Sequence, residues 1–160
     1  MKLHLTAFLL IVQSMACAQT AQAWNPTPTA HSAALVAQVL LDGLWAPSDA
    51  RMGAFDESGR CVGAANLFSK GAVTYGALHL YGDDPATPAV EGLTEGERFS
   101  LRLLLPKSGE SLTWYGPDGG VLLSGWTDLG GARLPGFADP NGVVAFHTGI
   151  ISSTCHSTGR

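Results

Sequence analysis

Apolar and polar positions alternate most cleanly in "RFSLRLLL", where Phe99, Leu101 and Leu103 fall on one side and Arg98, Ser100 and Arg102 on the other. A period of two is the signature of a strand with one face buried and one face wet. "AVTYGALHLYG" repeats it, with Val73, Tyr75, Ala77 and His79 on one side and Leu78 and Leu80 on the other. "HSAALVAQVLL", residues 31–41, places Leu35, Ala37 and Val39 in step. This predicts a third strand, although its alanine content leaves a helix as the alternative.

Short apolar segments fill most of the rest. "RMGAF" and "RCVGAANL" flank "DESG" at Asp56 to Gly59, which predicts a hairpin with a four-residue connection. "SLTWYG" and "GVLLSGW" flank Pro117-Asp118-Gly119-Gly120, and "GVVAFHTGII" follows Asp139-Pro140-Asn141-Gly142. In such turns proline presets φ and glycine accepts positive φ. Asp42-Gly43 is another turn signal. About eight strands result, with no sustained helical period after residue 41. That pattern predicts an all-β chain folded as an antiparallel β-sandwich, with a β-barrel as the alternative.

The N-terminus reads differently. Lys2 precedes the apolar run "LTAFLLIVQSMACA", and small residues follow, ending at Ala21 to Ala23. That is the layout of a secretory signal peptide over residues 1–23. The run is too short and interrupted to span a bilayer comfortably, which takes roughly 20 apolar residues. Residues 24–149 then form a single domain, and residues 150–160 a polar tail. The expected location is secreted, periplasmic or extracellular. "SMAC" loosely resembles a bacterial lipoprotein signal, which makes anchoring through Cys17 the alternative, with Ser14 in the place usually held by leucine.

Charge narrows the partners. The chain carries 9 Lys+Arg against 13 Asp+Glu, a net charge of −4. Nothing basic is clustered, so neither nucleic acid nor an anionic membrane surface is expected as a partner. With Cys17 in the leader, Cys61 and Cys155 remain, and in an exported chain they are expected to pair as a disulfide. The loop so closed spans about 95 residues, for which the chain-entropy model allows up to ~4.7 kcal/mol.

"RMGAFDESGRCVGAA" and "LHLYGDDPATPAVEGLTEGERFSLRL" together follow an order that resembles a β-sandwich module of secreted bacterial proteins. That module occurs in exported and surface chains, some with type IX secretion tails. Its pattern runs roughly I-G-x-F-d, C-x-G, G-D-D, T, then G-F-x-x-G-E. Met52 to Phe55 occupy the I-G-x-F place, Gly82-Asp83-Asp84 match G-D-D, and Gly92-Leu93 with Gly96-Glu97 match the close. The glycine that usually opens the first motif is absent, and leucine replaces the second phenylalanine. The resemblance implies a secreted β-sandwich with no assigned activity.

Candidate chemistry lies in two groups. Asp83, Asp84, Glu91, Glu95 and Glu97 sit on a Pro/Gly-rich connection and can supply the oxygen ligands that Ca²⁺ prefers. Their spacing is not that of an EF-hand. The competing reading is structural: aspartates holding turns, glutamates keeping the loop solvated. Among the aromatics, Trp114, Tyr115 and Trp126, with Trp45, Tyr75 and Tyr81, are candidates for a flat face on which a sugar ring stacks. Trp114 and Tyr115 are adjacent, so in a strand they point to opposite faces, and core packing is the alternative for the buried one. No nucleophile elbow or metal-spaced histidine pair appears, so no catalytic residue is assigned. The expected function is a secreted non-enzymatic binding or structural module. The alternatives are a carbohydrate-binding module and a calcium-stabilised adhesion module, with a glycan or surface protein as partner and no cofactor other than calcium.

Overall fold

The computed structural model describes residues 24–116, 118–121, 123, 125–134 and 142–149. The expected signal peptide over residues 1–23, with Cys17, and the expected tail over residues 150–160, with Cys155, lie outside them. Among the described residues there are nine strands and no helix, and so no helix long and apolar enough to cross a membrane. The expected all-β sandwich is the observed architecture, and the sheets do not close into a barrel.

Successive hairpins are dealt alternately to two sheets. β1 (Ser32–Leu41) and β2 (Leu44–Trp45) lie in the first, β3 (Arg51–Asp56) and β4 (Cys61–Asn66) in the second. β5 (Phe68–Lys70) and β6 (Val73–Tyr81) return to the first, and β7 (Phe99–Leu105) and β8 (Glu110–Thr113) to the second. The first sheet runs β2-β1-β6-β5 and the second β4-β3-β7-β8. β9 (Val143–Phe146) closes the first sheet by pairing with β1 in parallel, the one departure from antiparallel order among these pairings.

Period two decides β1 in favour of a strand: Ala33, Leu35, Ala37 and Val39 are buried while their neighbours are half-exposed. Asp42 and Gly43, both at positive φ, form the tight turn to β2. In the β3–β4 hairpin the buried Asp56 carboxylate accepts from Ser58 Oγ (2.7 Å) and Arg60 N (2.8 Å), and Gly59 takes the positive-φ position. The expected four-residue connection is present.

Between the sheets, Leu35, Val39, Leu78 and Leu80 face Met52, Val62, Leu101 and Leu103, all within 2 % exposure. Burying side chains of this size contributes roughly 1.5–3 kcal/mol each. The segment 121–126 differs from expectation. Its described residues form a single bridge, Leu123 to Phe99, rather than a strand. Trp126 N bonds to Glu97 O, so this stretch covers the start of β7 as a loop.

Candidate functional site

The outward positions of the first sheet follow from its register. Gln38 of β1 stands opposite Tyr75 of β6, which stands opposite Phe68 of β5. On the same face Leu40 pairs with Trp45, Ala34 with His79 and Ser32 with Tyr81. Phe68 is 47 % exposed and Trp45 41 %. The Phe68 and Tyr75 rings lie 5.8 Å apart at 22°, and those of His79 and Tyr81 lie 6.2 Å apart at 22°. Both ring pairs are therefore close to parallel. Tyr75 to Tyr81 spans about 20 Å of extended strand. Small Ala77 between them leaves a gap in the track. No strand position on this face carries a carboxylate, among the described residues.

The acidic connection is organised differently. Asp83 Oδ1 accepts from Glu91 N (2.9 Å) across the loop, and Asp84 Oδ1 accepts from Ala86 N (2.9 Å) in an Asx turn. Glu97 Oε2 takes both Thr94 N (2.8 Å) and Thr94 Oγ1 (3.0 Å), Glu91 Oε1 takes Thr87 Oγ1 (2.5 Å), and Glu95 Oε2 meets Asp128 N at 3.4 Å. Gly82 and Leu93 bridge the ends of the loop. Each of the five candidate calcium ligands thus has at least one oxygen committed to its own loop or to the neighbouring 125–134 segment. Among the described residues, no group of three His, Cys, Asp or Glu side chains converges as a metal site.

Beside this loop, His31 Nδ1 contacts Asp128 Oδ2 at 2.8 Å, while Asp128 Oδ1 accepts from Ser32 N (3.0 Å) and Gly130 N (2.9 Å). The hydrogen bond to Asp128 raises the His31 pKa above the usual imidazole value. The Gly130 amide, then His31, hold the Asp128 carboxyl below the usual carboxylate value.

Of the three aromatics expected to bind a ligand, Trp114 and Trp126 are each 3 % exposed and belong to the hydrophobic core. Their ring faces pack inside the sandwich, which corrects the expectation of a platform built on them. Tyr115, next along the chain, is half-exposed and lines a cleft on the outer face of the second sheet.

That face carries two clefts. Trp24 crosses it, edge-on to Phe55 (5.1 Å, 77°), in space that Gly53 leaves open. A β-carbon at Gly53 would lie 2.8 Å from the indole. Arg51 Nη2 donates to Trp24 O (2.8 Å) and fixes the entering chain. One cleft of about 530 Å³ is lined by Trp24, Phe55, Arg60, Cys61, Glu91 and Arg102. Cys61 has no disulfide partner among the described residues, and its expected partner, Cys155, lies outside them. Burial pushes the Cys61 pKa up, so the thiol stays protonated and is a poor nucleophile.

Sequence reasoning had singled out Tyr75, Tyr81 and Trp45 as aromatics but not their common face. Phe68 and His79 join them only through strand register. The signal available was the outward parity of Tyr75, His79 and Tyr81 in β6. No family model, curated protein or solved structure matches this chain.

Proposed function

We propose that the chain is a secreted, non-enzymatic binding module that takes a neutral polysaccharide on the outer face of the first sheet. The observation that carries this reading is the row of rings from Phe68 and Tyr75 to His79 and Tyr81, on a sheet face whose described strand positions carry no carboxylate. Aromatic rings bury the C–H-rich faces of sugars, while tyrosine hydroxyls, the imidazole and the Gln38 amide reach sugar hydroxyls. A linear track suits an extended polymer better than a compact ligand, and strand positions free of carboxylates among the described residues suit an uncharged one. The leader-like N-terminus and the resemblance to an exported bacterial module favour an extracellular setting.

Retention of the mature chain on insoluble polysaccharides tests the proposal. Wild type is expected to bind, and Tyr75→Ala to lose about tenfold in affinity, the equivalent of about 1.4 kcal/mol. Because Tyr75 is only half-buried, melting should change little. Equal retention of the variant and the parent would sink the proposal.

A further inference from the structure

The two clefts on the outer face of the second sheet, about 530 and 570 Å³, share Ser58, Gly59 and Arg102. These three residues line both, so the two clefts meet at Arg102 and make up one grooved face. The Arg102 guanidinium lies 4.2 Å over the Phe55 ring and is half-buried, and it makes no hydrogen bond or ion pair with any described residue. Burial lowers its pKa, the direction expected of a cation not matched by a carboxylate.

The neighbouring charges are already engaged. Arg60 holds Asp56 (3.4 Å) and the Val90 carbonyl. Glu57 pairs with Arg98 (3.4 Å). Glu91 Oε1 accepts from the Thr87 hydroxyl, but its Oε2 is buried without a donor. Among the described residues, the groove therefore holds a cation with no ion-pair partner and an acceptor without a donor. Both are costly when dry.

We infer that this groove binds an organic acid that also carries hydroxyl groups, its carboxylate taken by Arg102 and one hydroxyl donated to Glu91 Oε2. The planar guanidinium offers paired donors matched to a carboxylate. The Phe55 ring beneath fixes its plane. The volume falls in the range of small-molecule sites. The site is separate from the aromatic track, so either can fail without the other.

Calorimetric titration of the mature chain with galacturonate, galactose, acetate and sulfate tests the inference. Galacturonate is expected to bind, acetate and sulfate at least about tenfold more weakly, and galactose not measurably. Arg102→Gln should abolish galacturonate binding while leaving retention on neutral polysaccharide unchanged. Arg102→Lys keeps the charge and guards against a folding defect, and it should weaken binding through loss of the planar fork. No heat from galacturonate at millimolar concentration, or unaltered binding by a folded Arg102→Lys or Arg102→Gln chain, would overturn the site. Equal binding of acetate and galacturonate would overturn the contact to Glu91.

Discussion

Gly63 sits at a close approach of the two sheets. It faces inward from β4, and a β-carbon built on it would lie 2.3 Å from the His79 carbonyl oxygen and 3.0 Å from methyl carbons of both Leu78 and Leu80. The first distance is roughly 1 Å short of a normal contact. The obstacle is backbone, so relief requires β6 to shift rather than a side chain to rotate. Overpacking of this kind costs about 1–3 kcal/mol. The Gly63 backbone is not at positive φ, so Gly63→Ala also restricts the unfolded chain, a stabilisation of about 0.4–1 kcal/mol. A 2.3 Å approach to backbone puts the cost near the top of its range, so the net expectation is a loss of about 2 kcal/mol, which for a domain of this size lowers Tm by roughly 5–10 °C. Scanning calorimetry of the mature chain measures it directly. Gly53→Ala is the comparison: the nearest atoms to its new methyl belong to the Trp24 indole and the Phe55 ring, which can tilt, so its loss should be smaller. A Gly63→Ala chain melting within a degree of wild type would refute the close approach of β4 and β6. Because β6 carries Tyr75, His79 and Tyr81, the same variant should also weaken polysaccharide retention.

Asp56→Ala removes a buried acceptor from the Ser58 hydroxyl, the Arg60 amide and the Arg60 guanidinium; a loss of about 1–3 kcal/mol is expected in denaturant titration. The His31–Asp128 pair predicts a pH effect. A raised His31 pKa contributes stability that is complete below the unfolded value of about 6.5 and is lost as pH rises through the folded value. NMR titration should place the His31 midpoint above the ordinary imidazole value, and Asp128→Asn should bring it back; an unchanged midpoint would refute the pairing. Asp42 is held below the usual carboxylate range by the Thr148 hydroxyl, then the Thr148 amide. Its contribution is present above the unfolded value and disappears as pH falls through the folded one, so Thr148→Val should flatten part of the acid limb of a pH–stability curve. Since the acidic loop spends its carboxylates on its own backbone and hydroxyls, excess calcium against chelator should leave Tm unchanged. A site filled at 100 times its dissociation constant would instead add ~2.7 kcal/mol, and a rise of several degrees would restore the calcium reading.

The strands that were legible are those with both a period and a partner in sequence. β6 and β7 show every inward residue at alternate positions, and β3 and β4 announce their hairpin through "DESG". β2 and β5 were not legible, because two or three residues hold no periodicity; they exist as the return arms of tight turns at Asp42-Gly43 and Gly71. The parallel pairing of β9 was hidden for another reason. Nothing local distinguishes a strand that pairs with its neighbour from one that returns to β1 across the length of the chain. The same limit governs the sites. Asp83 and Asp84 read as turn residues from their own neighbours. Trp114 and Trp126 could be placed inside only once Leu123 and Trp126 were seen folding back over β7. Phe68 meets Tyr75 through a two-residue turn, so that contact lies at the border of what a sequence displays.

The most direct test of the proposed binding face is retention of Tyr75→Ala and Phe68→Ala on a panel of neutral polysaccharides, alongside Tyr115→Ala from the opposite sheet. Loss of retention in the first two variants, with Tyr115→Ala still binding like the parent and all three melting as folded domains, is the predicted result. Retention that survives both first-sheet variants, or that disappears only with Tyr115→Ala, would contradict the assignment.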